Sequence, residues 1–168
     1  MNLIQILQVL SVLAFANMTP VLASKTFGRI AVTPIDGGLV FADGRRLFGP
    51  SKTMRGVASS LFASSLGAPL VGLPWRVGAL IAIFAVAGDL LTSFCKRRMA
   101  LAPSSQAVGL DQVPESLLPA LACTLVLPIT LLDVAAITTL FSLAALALQF
   151  GLGLPHQGAA SRTPHRPN

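Results

Sequence analysis

From Leu117 to Leu154 the chain is apolar apart from one charged side chain, Asp133. A helix rises about 1.5 Å per residue and a bilayer's hydrocarbon core is about 30 Å thick, so roughly 20 residues make one crossing. The run is long enough for two crossings, and water offers nothing that would cover it. Hydrophobic residues make up 54% of the chain and charged residues only 11%, against about 25% in soluble domains. Three more apolar segments, at about 3–23, 57–74 and 77–94, precede the pair at 117–132 and 134–154, which is expected to turn at Asp133. Pro119 and Pro128 weaken the fourth span, because proline inside a helix removes a hydrogen bond. The expected fold is therefore all-α integral membrane, with five transmembrane helices in one membrane-embedded domain over 1–154. The tail over 155–168 has three prolines and no apolar period, so it is expected to be disordered, with His156 and His165 solvated.

The first segment has the length of a secretory signal, but nothing basic precedes Lys25, which favours a retained helix. Orientation follows from the cations. Lys25, Arg29, Arg45, Arg46, Lys52 and Arg55 lie between spans one and two, and Lys96, Arg97 and Arg98 between spans three and four. With Arg162 and Arg166 in the tail, eleven of twelve basic residues share one side, leaving only Arg76 opposite. Basic loops stay in the cytoplasm, so the N-terminus is expected outside and the C-terminus cytoplasmic, with two functional cytoplasmic loops.

The net charge of +6 does not indicate nucleic acid, since the nine Phe and single Trp lie mostly inside apolar runs rather than among cations. Cys95 and Cys123 have no partner at metal spacing and read as small buried hydrophobes.

Polar chemistry gathers in two places. The segment 24–56 contains Asp36-Gly37-Gly38 and Asp43-Gly44-Arg45-Arg46, then Gly49-Pro50-Ser51-Lys52-Thr53-Met54-Arg55-Gly56. Its glycines expose backbone amides, and Lys52, Thr53 and Arg55 add donors just where a helix begins, a recipe for binding phosphate. A Walker A loop is excluded because Pro50 and Ser51 separate Gly49 from Lys52-Thr53. The second place is inside span three. Asp89, Ser93 and Lys96 or Arg97 recur at helical spacing, so they are expected on one face lining a water-filled cleft. A carboxylate at membrane depth costs about 2.5–3.5 kcal/mol and normally faces water or protein. Asp111 and Glu115 return carboxylates to the same interface. Asp89 and Asp111 could share a hard cation such as magnesium, which takes one or two carboxylates plus substrate phosphates. Glu115 is equally readable as a helix N-terminal charge.

Asp43-Gly44, Leu47-Phe48-Gly49, Lys52-Thr53 and Arg55-Gly56 resemble the cytoplasmic loop of the CDP-archaeol synthases. So do Gly88-Asp89-Leu90-Leu91, Ser93-Phe94, Lys96-Arg97-Arg98 and Leu110-Asp111-Gln112, in that order. Ala16-Asn17-Met18-Thr19-Pro20 looks like the family's first span. The departures are Ser51, Met54 and Ala100, which bear on substrate preference more than on chemistry. The resemblance implies a magnesium-dependent membrane enzyme, related to the phosphatidate cytidylyltransferases, that joins CTP to a lipid glycerol phosphate and releases pyrophosphate. It implies Asp89 and Asp111 as metal ligands, Lys52 and Arg55 on the CTP phosphates, and Lys96 and Arg97 on pyrophosphate or lipid phosphate. Thr53, Ser93, Asn17, Asp43 and Asp36 are further contact or shaping candidates. The implied location is the cell membrane, with CTP and a lipid phosphate as partners.

Among rivals, a CDP-alcohol phosphotransferase needs Ala-Arg two residues after Asp-Gly, and Leu47-Phe48 stands there instead. A small transporter would use Asp89 as an ion site, but the chain has no internal repeat. A non-catalytic subunit on the same scaffold is separated only by assay.

Overall fold

The computed structural model describes residues 1–28, 32–101 and 111–151, and the expected tail lies outside them. Five helices follow one another: α1 (Leu3–Phe27), α2 (Met54–Leu70), α3 (Trp75–Arg98), α4 (Gln112–Cys123) and α5 (Leu131–Gly151). Three are long and apolar enough to cross a membrane: α1, α3 and the Leu131–Leu148 part of α5. Their outer faces carry Leu3, Leu7, Ile83, Leu131, Leu132 and Leu143 exposed, while Val9, Val12, Leu13, Ile81 and Ile137 are buried at the centre. Large aliphatic side chains facing outward in such number need lipid, not water, around them.

The fourth apolar segment departs from expectation. Its regular helix has 12 residues, about 18 Å of rise and too short to cross alone. The chain leaves α4 through turns over 124–127, and Pro128 lies in the non-helical stretch before α5. Pro119 is accommodated inside α4, fully buried. The hairpin therefore does not turn at Asp133. That residue lies in the first turn of α5, where it accepts hydrogen bonds from the Thr130 N–H (2.8 Å), the Thr130 hydroxyl (2.9 Å) and the Asn2 N–H (3.1 Å). A helix start leaves amides without partners, and a short carboxylate satisfies them. Asp133 thus also ties the beginning of the chain to α5.

Helix α3 packs against both α2 and α4; α1 lies along α2 and touches α3; α4 leads into α5. Two seams are set by glycine. A Cβ on Gly78 would strike the Ser64 backbone of α2, and one on Gly88 would strike the Pro114 backbone of α4. Where lipid removes the hydrophobic drive between helices, small residues permit the close approach that dispersion needs. The Gly88 seam brings the start of α4 against α3 one residue before Asp89.

Replacing Gly78 with Leu should force α2 from α3 at a cost of about 1–3 kcal/mol, the range for overpacking a close seam. The check is thermal unfolding in detergent; an unchanged midpoint would show that the seam is not close-packed.

Candidate active site

The loop between α1 and α2 is a folded unit built on one carboxylate. Asp36 is buried and accepts from the N–H groups of Gly38 (3.0 Å), Phe48 (3.3 Å) and Gly49 (3.0 Å) and from the Arg46 guanidinium (2.7 Å). Burial works to raise its pKa, but the bonds from Gly49, Gly38, Phe48 and Arg46 together outweigh it and bring the value down to about 2. Gly37 and Gly38 have positive φ (53° and 88°), which lets the chain wrap back round the carboxylate. Asp36 is therefore a shaping residue.

A second set of contacts holds the loop on the end of α3. Arg98 pairs with Asp43 (2.8 Å), donates to the Arg46 carbonyl (2.8 Å), and lies over the rings of Phe41 and Phe94. Arg45 donates to the carbonyls of Arg97 (3.0 Å) and Arg98 (2.7 Å), where a helix C-terminus leaves acceptors open. Asp43, a contact or shaping candidate from the sequence, is thus engaged in fastening the loop. At the loop's end the Ile35 N–H donates to the Lys52 carbonyl (2.8 Å) and the Met54 N–H to Thr33 (2.9 Å). These bonds place Lys52 and Thr53 at the start of α2, where the Thr53 hydroxyl oxygen caps the helix by accepting from the Gly56 N–H (3.2 Å).

Beneath the loop lies a cavity of about 630 Å³ between α1, α2 and α3, reached by Glu115 of α4. Lys52, Thr53, Arg55, Asp89 and Asn17 all line it, so three separate parts of the sequence meet in one space. Lys52 Nζ contacts Asp89 at 2.5 Å, and Arg55 donates to the Gly28 carbonyl at 3.1 Å. Thr53 opens α2 toward the cavity, so the helix N-terminus adds its partial positive charge there.

The expected polar stripe on α3 is divided. Asp89 faces the cavity, but Ser93 and Lys96 are buried. Lys96 meets Asp111 at 2.8 Å, because α4 packs on that side of α3. Arg97 borders a separate cleft of about 380 Å³ with Arg45 and Arg46. Glu115, which the sequence left between two readings, is the acid brought to Asp89. Both side chains line the cavity, Asp89 from α3 and Glu115 from α4. The available signal was the Gly88-Asp89 pair, since a glycine there admits Pro114 and hence Glu115.

Among the described residues no three acidic, His or Cys side chains stand close enough to chelate an ion unaided. The oxygen pair Asp89–Glu115 nevertheless fits magnesium's habit of taking one or two carboxylates and completing its shell with phosphate and water.

Bundle and cavity together define a membrane-embedded protein with an internal pocket lined by both cations and carboxylates. The CarS-like family of CDP-archaeol synthases matches residues 2–154, and the chain belongs to that family. It is 42% identical over 108 residues to the CDP-archaeol synthase of Pyrococcus furiosus, covering 58% of this chain and 61% of that one. To the Aeropyrum pernix CDP-archaeol synthase it is 37% identical over 150 residues, covering 83% and 82%. The chain spans 61% of the length of the Pyrococcus furiosus and Thermococcus onnurineus relatives it matches. A solved structure of an intramembrane enzyme for archaeal membrane lipids biosynthesis superposes with a TM-score of 0.70 at 30% identity, covering 89% of this chain and 95% of that one.

Because the Asp36 pKa is depressed, its hold on the loop is fully present above the ordinary carboxylate value of 3.8 and is lost as pH falls through about 2. Asp36→Ala should abolish that hold at neutral pH. Hydrogen exchange over 34–50 should quicken in the variant while α3 and α5 stay protected; equal protection in both proteins would remove Asp36 from this role.

Proposed function

We propose that the chain is a membrane CTP:lipid-phosphate cytidylyltransferase, condensing CTP with a lipid glycerol phosphate to give a CDP-lipid and pyrophosphate. The observation that carries this reading is the meeting of Lys52, Arg55, Asp89 and Glu115 in one cavity of a CDP-archaeol synthase family member. The relatives' names supply the nucleotide and the lipid class.

In the reaction an oxygen of the lipid phosphate attacks the α-phosphorus of CTP. A new P–O bond forms there, the bond from the α-phosphorus to the α–β bridging oxygen breaks, and pyrophosphate leaves with the electron pair. The nucleophile is already an anion, so no side chain has to remove a proton from it. What opposes the step is the crowding of negative charge, lowered by fixed cations and by positioning. Lys52 and Arg55, held by Asp89 and by the Gly28 carbonyl, are set to receive the CTP phosphates at the start of α2. Asp89 and Glu115, with Asp111 behind them, would hold magnesium, which supplies Lewis-acid stabilisation of phosphate charge. Lys96 and Arg97 lie about two turns, roughly 10 Å, farther along α3; Lys96 would hold Asp111 in place, and Arg97, in the neighbouring cleft, would meet the leaving pyrophosphate or the lipid headgroup. Thr53 offers its hydroxyl proton to the same phosphates, while Ser93 acts through α3 packing.

We read the topology as five membrane passages with the N-terminus outside and the C-terminus in the cytoplasm of the cell membrane, α4 and its non-helical continuation making the fourth. The clustering of Arg45, Arg46, Lys52, Arg55, Lys96, Arg97 and Arg98 at one end of the bundle supports this, with Arg76 at the start of α3 opposite. A transporter reading is disfavoured, because the cavity's charged groups suit a bound polyanion and the family is one of synthases.

Purified protein with CTP, magnesium and an archaeal-type lipid phosphate should release pyrophosphate, and chelation of the metal should stop it. Asp89→Asn and Glu115→Gln should each lower turnover by at least roughly a hundredfold, the scale for losing an electrostatic stabiliser of the transition state. Full turnover in Asp89→Asn would refute the site, and no turnover in the unaltered protein with any lipid phosphate would refute the function.

A further inference from the structure

The cleft at the end of α3 is separate from the catalytic cavity and differs from it in charge. Arg45, Arg46 and Arg97 stand round its space of about 380 Å³, closed by Gly49, Pro50 and Leu101. No carboxylate is among the described residues that line it. Arg45 directs Nη1 to the carbonyls of Arg97 and Arg98, and Arg46 directs Nη2 to Asp36. A guanidinium has five N–H donors, so these bonds fix each group in place and leave further donors to offer. Guanidiniums so held suit phosphate, which they bind through paired N–H groups. Arg97 follows Asp89 by eight residues, about 12 Å along α3. A phosphate seated here is therefore well away from the carboxylates of the cavity, although Pro50 forms part of both walls.

Beside the arginines stands an apolar edge. Leu39, Val40 and Phe41 are 64%, 57% and 48% exposed, and Met99, next to Arg98, is 62% exposed. A tight hairpin brings the first three there. Val40 pairs with Arg46, the Phe41 N–H donates to the Arg45 carbonyl at 2.8 Å, and the Leu47 N–H donates to the Leu39 carbonyl at 3.1 Å. The Phe41 ring meets the Phe94 ring edge-on at 5.6 Å. Phe94 lies one turn before Arg98 on a helix apolar enough to cross a membrane, so the hairpin tip is level with the end of that span. Apolar side chains next to cations at that level match the boundary between lipid chains and headgroups.

The two features together select the ligand. Free pyrophosphate would need the cations alone and gives the exposed edge nothing to bury against. A phospholipid brings both a phosphate and chains. We propose that this cleft is a binding site for the phosphate of an anionic membrane phospholipid, with the Leu39–Phe41 tip seated among the neighbouring chains. Its occupant is not the reacting lipid, since the cleft lies apart from the cavity. Through Arg45, Arg46 and Pro50 the bound headgroup holds the loop that carries Lys52 against the membrane surface.

This inference stands apart from the proposed cytidylyl transfer, because its test uses no CTP and a phosphodiester lipid with no phosphate monoester to offer. The full-length protein, stripped of lipid in a neutral detergent, is titrated with dioleoyl phosphatidylglycerol, dioleoyl phosphatidylcholine and pyrophosphate, and binding is followed by native mass spectrometry. Phosphatidylglycerol should bind at least roughly fivefold tighter than phosphatidylcholine, the scale of one basic residue against an anionic headgroup. Arg45→Gln with Arg46→Gln should weaken phosphatidylglycerol roughly thirtyfold, the scale of two. Lys52→Gln, in the catalytic cavity, should leave it unchanged. Leu39→Ser with Val40→Ser should weaken both phospholipids and leave pyrophosphate unaffected. That variant carries the test if the arginine pair loosens the loop, which hydrogen exchange over 34–50 reports. Equal affinity for the two phospholipids overturns the proposal, as does phospholipid binding unmoved by the serine pair. A loss confined to Lys52→Gln would place the lipid in the cavity instead. Pyrophosphate binding that falls with the arginine pair while phosphatidylglycerol binding does not would make the cleft a site for free anions.

Discussion

The structure depends on keeping Asp89 charged inside a helix that is apolar enough to cross a membrane. At such depth a carboxylate costs about 2.5–3.5 kcal/mol unless water, a cation or a protein partner receives it. Here Lys52 reaches it from the preceding loop and Glu115 from the following helix. Each partner arrives by a separate device. Lys52 is set by backbone hydrogen bonds between the loop's two ends, and Glu115 by the glycine that lets α4 touch α3. Removing Lys52 leaves Asp89 in the cavity without its counter-charge, a larger penalty than the pair itself contributes to stability. The charges at the site therefore constrain the packing around them, as much as the packing positions the charges.

The loop over 32–53 shows how an acidic and basic segment becomes rigid without helix or sheet. Asp36 gathers three backbone amides and a guanidinium, and Arg98 pins the segment from outside through Asp43 and two rings. Three of the chain's six acidic residues, Asp36, Asp43 and Asp133, are thereby occupied in local architecture. The other three, Asp89, Asp111 and Glu115, converge where α3 and α4 meet.

Much of this was legible beforehand, for physical reasons that differ by element. The long apolar windows of α1, α3 and α5 identify themselves, because a bilayer demands length and hydrophobicity and little else. Lys52, Thr53, Arg55 and Asp89 were legible because motif spacing and membrane depth each make them conspicuous. The fourth segment was not. Hydropathy counts apolar residues but does not see that Pro128 and the turns after Cys123 interrupt the helix, or that Asp133 caps α5 instead of turning the chain. The α3 stripe was half legible. Helical periodicity put Asp89, Ser93 and Lys96 on one side, but which part of that side α4 covers depends on a contact between Gly88 and Pro114, far apart in sequence. The fastening contact of Asp43 was hidden for a similar reason: its partner, Arg98, lies 55 residues away.

The cavity also grades from charged to neutral with distance from the loop. Lys52, Arg55, Asp89 and Glu115 stand toward the loop, where charge acts over a range because Coulomb energy falls slowly with distance. Ala16, Asn17, Ser60 and Ala85 line the inner part, where polar contact depends on hydrogen bonds, which weaken steeply when a donor is misplaced. Placing an ion at the inner end would add a desolvation cost that no bulk water offsets. A neutral amide and hydroxyl avoid that cost. The arrangement leaves α1 and α2 with few charges along their inner halves while they border a polar cavity.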